Sequence, residues 1–502
     1  MYLSSIQKEL SFWMDCYLYT MKKLIQFQIL ISVFLLLQYS CKDPVVIDPD
    51  DEPQKNDSIG DVYAWLTTGN EVHLLSKLSP INFSKEIGDF TIVLDTATTY
   101  QYIDGFGAAL TGSSAYLINQ LNSADRNKLL TDLFDPQKGI GLNYLRITIG
   151  SSDFSIGTYS YCENPDINTF AIPERDKNDL LPVLRMIKAI NPTIKILASP
   201  WSAPAWMKAN NSMNGGSLKG AEVYNDFAEY FVKYIQAFKA EDIDIDAITI
   251  QNEPMHETNG YPTMKMLWTE QNTIIRDFLG PKFIANNINT KIIIWDHNFD
   301  MSYYPINILN DPITRKYVAG TGWHGYGGNA SAIDAVQAQH PDKDVYFTEQ
   351  SGGGWNTDTR MGNMFWYMKE FLMASVNRGS KNFLMWNLAL NEKNGPTTTT
   401  GGCQNCRGVV TIKADGTYLR NEEYYLLGHF SKLVRLGAVR IKNSSTNWAQ
   451  GLTVSSFLNT DGTKVAVIMN RSGAKQKYNI RCGNRKFMYE QYNESVVSFI
   501  FK

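Results

Sequence analysis

The stretch 247-AITIQNEP-254 joins a short apolar run to a polar ending, Asn252-Glu253-Pro254. A second stretch, 345-VYFTEQSGGG-354, has the same form, and its apolar run stops at Glu349. Short apolar runs that end at polar or turn residues are typical of strands buried on both faces. Each stretch therefore predicts a buried strand with a carboxylate at its carboxyl end.

Eight runs of this kind alternate with helix-like segments along the middle of the chain. One intervening segment, 221–240, places aromatic residues at helical spacing, and another, 360–378, ends before Gly379, a common helix C-cap. The alternation predicts an α/β fold, a (β/α)8 TIM barrel over residues 101–410, with a doubly wound open sheet as the alternative. The predicted strands are residues 103–107, 144–148, 194–199, 247–252, 292–296, 320–324, 345–349 and 383–387.

The segments on either side of the barrel follow another pattern. After residue 410, short apolar runs are separated by Gly, Asn and Asp turns, which is typical of an all-β domain. A run of similar character lies at residues 90–94, before the barrel. We therefore expect a side β-sandwich formed by residues 411–502 and joined by N-terminal strands from residues 61–100.

The two strand-end carboxylates point to a reaction. In (β/α)8 barrels functional groups lie at the carboxyl ends of the strands, so Glu253 on strand 4 and Glu349 on strand 7 should face one cleft. Hydrolysis of a glycosidic bond uses two carboxylates, and a separation of about 5 Å corresponds to a retaining reaction. Either residue alone could be an ordinary ion-paired or solvated glutamate, but the pair predicts a catalytic site.

Aromatic residues are expected around this pair. Five tryptophans lie at or just beyond predicted strand ends, and together they suggest a stacking platform for sugar rings. They are Trp201, Trp295, Trp323, Trp355 and Trp386.

Charged residues and histidines are expected there too. Asp104, Arg146 and Asp153 are expected to cluster after strands 1 and 2. We expect Arg146 to pair with a catalytic carboxylate, with a structural ion pair as the alternative. His297 and His324 raise the question of a metal, but they lack H-x-x-x-H spacing. We therefore expect neither a catalytic metal nor a cofactor.

Several longer motifs, in this order, give the chain a family resemblance. It resembles glycoside hydrolase family 30 of clan A, a family of glucosylceramidases and β-glycanases, over residues 75–502. The motifs are 101-QYIDGFG-107, 146-RITIGSSDFS-155, 198-ASPWSAPAWMK-208, 251-QNEP-254, 324-HGY-326, 348-TE-349 and 386-WNL-388.

The resemblance implies a role for each matching residue. Glu253 would be the acid/base and Glu349 the nucleophile, while Asn252 would hydrogen-bond the sugar 2-OH. Tyr326 would lie near the nucleophile. Asp153, Trp201 and Trp386 would bind the sugar in the −1 subsite. His324 and Arg146, at the predicted barrel rim, are further candidates for substrate binding. The fold implied is again a barrel with a side β-sandwich.

One loop in the sequence bears on the choice of substrate. The loop 401-GGCQNCRG-408 looks like the β-1,6-glucanase branch of the family rather than the ceramide-cleaving branch. We expect an endo-β-1,6-glucanase, with glucosylceramidase-type activity or action on xylan, galactan or a β-fucoside as alternatives. An alternative of another class is a non-catalytic surface glycan-binding lipoprotein, which would not need both glutamates.

The N-terminus predicts export. A basic start at Lys22-Lys23 precedes the apolar run 29–37, which is too short to span a bilayer and is typical of a signal peptide. The run leads to Cys41 in a lipobox-like context, so we expect a signal peptide over 1–41, lipidation of Cys41 and an acidic tether over 42–60. An ordinary secretory signal is the alternative, and translation could begin at Met1 or Met21. The acidic tether resembles the export signal of Bacteroidetes surface lipoproteins, which makes the outer membrane, and its outer face, the expected location.

The cysteines and the net charge indicate which disulfide and which binding partners to expect. Cys403 and Cys406 form a C-x-x-C, which in an exported protein predicts a short disulfide rather than a redox pair, and no second ligand pair accompanies it. Cys162 and Cys482 have no obvious partner. A net charge of −3 leaves no basic footprint for nucleic acid. We expect a monomer whose partner is a polysaccharide and whose membrane attachment is through the lipid alone.

Overall fold

The computed structural model describes residues 60–355, 358–398, 402–444 and 451–502. The predicted signal peptide 1–41, with Cys41, and the predicted tether 42–60, apart from Gly60, lie outside this range. Within the described residues, no helix is both long enough and apolar enough to cross a bilayer.

Eight parallel strands close into a barrel, which confirms the predicted fold class. Each strand pairs with its neighbours in chain order, and the last strand pairs with the first, Asn382 beside Gly105. The predicted strand positions agree with the observed ones to within a few residues. The barrel strands, numbered 1 to 8, are Gly105–Ala109, Tyr144–Thr148, Lys195–Ser199, Ala247–Thr249, Lys291–Asn298, Val318–His324, Asp344–Glu349 and Ser380–Met385.

Helices cover the outside of the barrel and bury their apolar faces against it. The helix Tyr224–Ala240 shows why: Phe227, Phe231, Tyr234 and Phe238 recur at helical spacing, and all four are buried. Three helices contain a wider turn, at Asp176–Leu180, Ile274–Leu279 and Met368–Met373. The α-helical segments are Gly112–Gln120, Ser123–Phe134, Leu181–Ile190, Tyr224–Ala240, Trp268–Thr273, Gly280–Ala285, Tyr303–Leu309, Thr314–Tyr317, Ala332–Gln339, Arg360–Tyr367, Ala374–Val376 and Glu422–Ser431.

The second domain is built from one nine-stranded sheet of described residues. The sheet folds over its own apolar core. Phe487, on an edge strand, therefore packs 5.4 Å from Phe501, which lies on a strand near the opposite edge. Strands from before the barrel join it, as predicted: Val62–Thr68 pairs with Ser495–Phe501, and Phe90–Tyr102 pairs with Gln476–Cys482. Its strands are Val62–Thr68, Ser76–Lys77, Phe90–Tyr102, Val439–Asn443, Leu452–Leu458, Lys464–Asn470, Gln476–Cys482, Arg485–Gln491 and Ser495–Phe501.

The first C-terminal strand of this sheet, Val439–Asn443, begins later than the boundary expected at residue 411. The helix Glu422–Ser431 intervenes and packs against barrel strand 1. The run at 409–412, predicted to belong to the sandwich, forms the strand Val410–Ile412 in a small sheet with Ala389–Asn391 and Tyr418–Arg420. The helix also contacts the sandwich sheet, since His429 hydrogen-bonds Ser498 and Thr67 (2.8 Å each), so it lies between the barrel and the sandwich.

Candidate active site

Strand alternation builds the barrel interior in layers, because every second residue of a strand points inward. The lower layer is apolar and consists of Tyr144, Leu197, Ala247, Ile293, Tyr346 and Leu384. Two residues further along three of these strands lie Arg146, Ser199 and Thr249, all fully buried. The layer nearer the carboxyl ends is therefore polar, and it forms the floor of a site.

An irregularity in strand 5 completes this floor. From Ile293, regular alternation would turn Trp295 inward, but Trp295 (φ 74°) and Asp296 (φ 62°) adopt left-handed backbone angles and the pairing register shifts there. The shift brings Asp296 into the interior, where its carboxylate accepts hydrogen bonds from Ser199 (2.9 Å) and Thr249 (2.7 Å). Trp295 instead packs 4.6 Å from Tyr304 on a covering helix.

Arg146 organises the polar layer. Its guanidinium donates to Asn252 Oδ1 (2.7 Å) and Asp296 Oδ2 (2.8 Å), and it also pairs with Glu349 Oε2. A fully buried cation requires such compensation, because an unpaired charge in the interior costs several kcal/mol. The expected pairing of Arg146 with a strand-end carboxylate is thus present. Arg146 also pairs with a second carboxylate, that of Asp296, which was not among the predicted site residues.

Glu349 stands at the end of strand 7 with both carboxylate oxygens engaged. Oε2 accepts from Arg146, and Oε1 accepts from the Tyr326 hydroxyl at 2.9 Å. The backbone N–H of Ser351 donates to that same hydroxyl at 3.0 Å, which fixes its orientation. The carboxylate is held in one position by donors on strands 2 and 6.

Glu253 follows strand 4 in a left-handed conformation (φ 46°), an uncommon one for a residue with a side chain. Its backbone N–H donates to Asp296 O (3.0 Å), and its Oε1 lies 2.9 Å from Nδ1 of His324. One oxygen each of Glu253 and Glu349, together with a His324 nitrogen, lie within 4.8 Å of one another. The two carboxylates therefore face each other across a single gap.

His324 is the proton carrier of the site. Burial opposes its charged form, but the charge of Glu349 and the hydrogen bond with Asp296 outweigh burial and raise the pKa of His324 to about 9. Burial favours the neutral form of Glu253, yet the hydrogen bond from His324 outweighs it and lowers the pKa of Glu253 to about 2. At neutral pH the proton shared by these two groups therefore resides on the imidazole.

The pKa values of Glu349 and Asp296 are shifted in opposite directions. Burial raises the pKa of Glu349 above its usual value, against the opposing charges of His324 and Arg146. For Asp296 burial acts in the same direction, but Arg146 and His324 outweigh it and hold the pKa well below the usual range. Asp296 is therefore a permanent anion beneath a coupled group of titrating residues.

Asp153 lies close to this group, whereas Asp104 does not. Burial, and next the charge of Glu349, raise the pKa of Asp153 to about 8, and its Oδ1 has no hydrogen-bond partner among the described residues. Asp104 was expected to cluster with Arg146 and Asp153. It lies instead at the opposite end of the barrel, paired with Lys195 (2.5 Å), because it precedes strand 1 rather than following it.

The expected platform of five tryptophans is not formed. Trp323 is fully buried and stacks on Phe299, since alternation turns it outward when His324, the next residue, points inward. Trp201 and Trp386 stack on each other (4.9 Å between ring centres), each 3% exposed, with the Arg146 guanidinium 4.8 Å from the Trp201 ring. Trp355, at 43%, is the one of these five with a substantially exposed side chain.

Two further residues lie near the site: His297, which was expected there, and Tyr261, which was not. His297 lies 4.0 Å from Glu253, and burial lowers its pKa to about 4, so it stays neutral. Tyr261 packs against the Trp201 and Trp386 cluster and bonds to His256 (2.8 Å). The strand-end position predicted His297, whereas Tyr261 lies in a long loop without a recognisable signal.

The spacing of Glu253, His324 and Glu349 would also suit a metal ion. Each candidate ligand atom already has a protein partner, however. Arg146 and Tyr326 occupy the two oxygens of Glu349, and His324 bonds to Glu253. The arrangement is thus complete as a proton-transfer site.

Two family profiles match this chain. That of the glycosyl hydrolase family 30 TIM-barrel domain covers residues 103–434, and that of the glycosyl hydrolase family 30 beta sandwich domain covers residues 437–499. The first match extends beyond the helix Glu422–Ser431, in agreement with the domain border seen in the structure.

Individual proteins are also similar along most of their length. The endo-1,6-beta-D-glucanase neg1 of Aspergillus fumigatus is 34% identical over 408 residues, which cover 76% of this chain and 80% of that protein. The lysosomal acid glucosylceramidase of Mus musculus is 29% identical, with 76% and 77% covered. Among solved structures, the endo-beta1,6-glucanase BT3312 superposes with a TM-score of 0.83 at 39% identity, covering 88% of this chain and 99% of that one.

Proposed function

The chain belongs to glycosyl hydrolase family 30, and from that premise we propose that it is a retaining endo-β-1,6-glucanase in which Glu349 is the nucleophile and Glu253 the acid/base. The observation that carries the proposal is the pair of facing carboxylates, whose oxygens lie within 4.8 Å. Retaining enzymes hold their two carboxyl groups about 5–5.5 Å apart, whereas inverting enzymes leave a wider gap for water. The gap here suits direct attack by a carboxylate.

In the first step Glu349 attacks the anomeric carbon while Glu253 protonates the departing glycosidic oxygen. The attacking oxygen is Oε1, whose only hydrogen-bond partner among the described residues is the Tyr326 hydroxyl, while Arg146 holds Oε2. The C–O bond to the leaving sugar breaks as the bond to Glu349 forms. A covalent glycosyl-enzyme results, with the configuration at the anomeric carbon inverted once.

The proton for this step comes from His324. The imidazole, whose pKa is raised to about 9, holds it at neutral pH and lies 2.9 Å from Glu253 Oε1. Substrate that covers the cleft removes water from Glu253 and favours its neutral form, so the proton passes to the carboxylate. In the second step Glu253 accepts a proton from water, which attacks the anomeric carbon and releases the sugar with its original β configuration.

The choice of β-1,6-glucan is supported by the relatives of this chain. The two relatives described as endo-β-1,6-glucanases are more similar to it (34% and 39% identity) than the mouse glucosylceramidase (29%). Glucosylceramide, xylan, galactan and β-fucosides remain the alternative substrates. A purely glycan-binding role is disfavoured, because binding alone does not need two opposed carboxylates.

The test is incubation with linear β-1,6-glucan and sizing of the early products. We expect oligosaccharides of intermediate length, with no comparable release from β-1,3-glucan, xylan, galactan or glucosylceramide. Glu349→Gln should abolish turnover, whereas Glu370→Gln, on an exposed helix surface, should not. Binding of the glucan without any hydrolysis by the wild type would contradict the proposal.

We further propose that the protein is exported as an outer-membrane lipoprotein, attached through Cys41, and is monomeric. The apolar run 29–37 followed by Cys41 and an acidic segment supports this. Fractionation of cells should place the wild type in the membrane fraction and Cys41→Ala in the soluble fraction. An equal distribution of both would contradict lipid attachment, and a dimeric mass in solution would contradict the monomer.

A further inference from the structure

The loop that carries Cys403 and Cys406 contacts the site from outside the catalytic group. The two cysteines form a disulfide, while the described Cys162 and Cys482 are free. The loop follows strand 8, and it plays no part in the two chemical steps. Two of its contacts nevertheless reach separate parts of the site, and a third anchors the loop outside the site.

The first contact is with the segment that follows the nucleophile. Gly352–Gly353, three residues beyond Glu349, pairs antiparallel with Cys406–Arg407. The N–H of Gly354 donates to Asn405 O at 2.8 Å. The disulfide loop therefore extends the strand end that carries Glu349 by a short two-stranded ladder.

The segment after the nucleophile also needs glycine at these two positions, because of neighbours that lie outside the loop. A Cβ on Gly352 would lie 1.6 Å from Oε1 of Glu423, and one on Gly353 would lie 1.9 Å from the Trp355 ring. Backbone and side chains approach more closely than any other residue would permit. The segment is thus packed tightly against Trp355 and against Glu423, a residue that also pairs with Arg407 of the loop.

The second contact is with the tryptophan pair and Asp153. Cys406, 4% exposed, belongs to the apolar cluster of Trp201 and Trp386, and Cys403 packs against that cluster. Just before the loop, Thr398 donates its N–H (2.8 Å) and hydroxyl (3.1 Å) to the carbonyl of Asp153. The loop and its flank therefore border the residues proposed to hold the sugar.

The third contact is an anchor on the outside of the barrel. Arg407 pairs with Glu422 and, at 2.8 Å, with Glu423, two carboxylates that are almost completely buried at the start of the helix Glu422–Ser431. An ion pair of this kind is costly to break, because either partner would be left as an uncompensated buried charge. The anchor prevents the loop from moving as a whole, and the disulfide constrains the part between the anchor and the site.

We propose that the Cys403–Cys406 loop is a positioning wall of the sugar site, which holds Trp386, Asp153 and the segment after Glu349 in one geometry. The inference rests on the proposed function, since it concerns the subsite of that reaction. The wall acts through the residues it positions and contacts no reacting atom. When the disulfide is opened, the sugar should bind less well, although the chemical groups remain in place.

The test compares wild type with the Cys403→Ser/Cys406→Ser double variant on linear β-1,6-glucan. We expect KM to rise by about ten- to a hundredfold, the effect of a small misplacement of binding groups, with a smaller change in kcat. Dithiothreitol should shift the wild type to the same KM, and reoxidation should restore it. The double variant should respond to neither treatment, and Cys482→Ser, which removes a free cysteine of the sandwich, should match wild type.

The melting temperature and KM of the double variant distinguish a positioning role of the loop from a role in stability alone. A loop that only stabilises the fold would lower the melting temperature of the double variant and leave KM unchanged, which would overturn the inference. If the double variant fails to fold, the reduced and reoxidised wild type provides the same comparison of KM. Hydrolysis by the wild type with an unaltered KM after opening of the disulfide overturns this inference alone, whereas an inactive wild type overturns the proposed function together with it.

Discussion

The Nδ1 atom of His324 lies 2.9 Å from Oε1 of Glu253, so the proposed acid/base has a fully buried histidine as its proton partner. On the far side of the same ring, Nε2 lies 3.1 Å from the permanent anion Asp296. This arrangement keeps a proton available beside Glu253 at neutral pH.

The pH dependence of activity should report this proton. Because the pKa of His324 is raised to about 9, kcat/KM of the wild type should fall as the pH rises through that value. His324→Asn should lose about 10²-fold in kcat/KM at neutral pH and should lack this basic limb. A control, His73→Asn on the sandwich, should keep the wild-type profile. An unchanged basic limb in His324→Asn would show that another group supplies the proton.

Stability should depend on pH through the same residue. A histidine whose folded pKa is raised from 6.5 to about 9 binds its proton more tightly in the folded state. Its contribution to stability is therefore complete below pH 6.5 and is lost as the pH rises through 9. We expect the wild type to lose more unfolding free energy over this interval than His324→Asn, in urea titrations at each pH. Parallel losses in both proteins would contradict the raised pKa.

The role of Glu253 can be separated from that of Glu349 with an external nucleophile. Glu253→Ala should lower kcat by about 10²–10⁴-fold on a poor leaving group, the usual contribution of general acid catalysis. Added azide should then attack the glycosyl-enzyme and yield a β-glycosyl azide. In Glu349→Ala, azide should attack the substrate directly and yield the α-anomer. The reverse stereochemistry, read by NMR, would exchange the two assignments.

The buried arginine should be essential to the fold of the site. Arg146→Met leaves Asp296 and Glu349 without their cation, and breaking a buried pair in this way costs about 3–5 kcal/mol. Arg185→Met removes an exposed pair with Glu241 and should cost no more than about 1 kcal/mol. Urea unfolding of the two variants measures the difference. Equal losses would mean that the Arg146 network does not carry this stability.

The sequence predicted the barrel well because its signal is local. Each strand shows as a short apolar run, and the residues at the run ends, Glu253 and Glu349, come together in any closed parallel barrel. The pairing of Arg146 with a strand-end carboxylate was predictable for the same reason. The border between barrel and sandwich was harder to predict, because the helix Glu422–Ser431 lies between two runs with strand-like sequence.

The predictions of which side chains face the site fail at strand ends, where inward and outward positions decide the outcome. The irregularity at Trp295 and Asp296 exchanges which of them points inward, so the aspartate that supports Arg146 and His324 was not assigned to the site. Trp323 could have been excluded from the rim, since it cannot face inward when His324 does. The contacts of the disulfide loop join distant parts of the chain and have no local signature.

The most direct test of the whole account is to trap the covalent intermediate. A 2-deoxy-2-fluoro-β-glucoside with a good leaving group should inactivate the enzyme in a time-dependent manner. Peptide mass analysis of the inactivated protein should then locate one fluoroglycosyl group on Glu349. A label on Glu253 or on another carboxylate, or turnover without any covalent adduct, would contradict the assignment of Glu349 as the nucleophile of a retaining reaction.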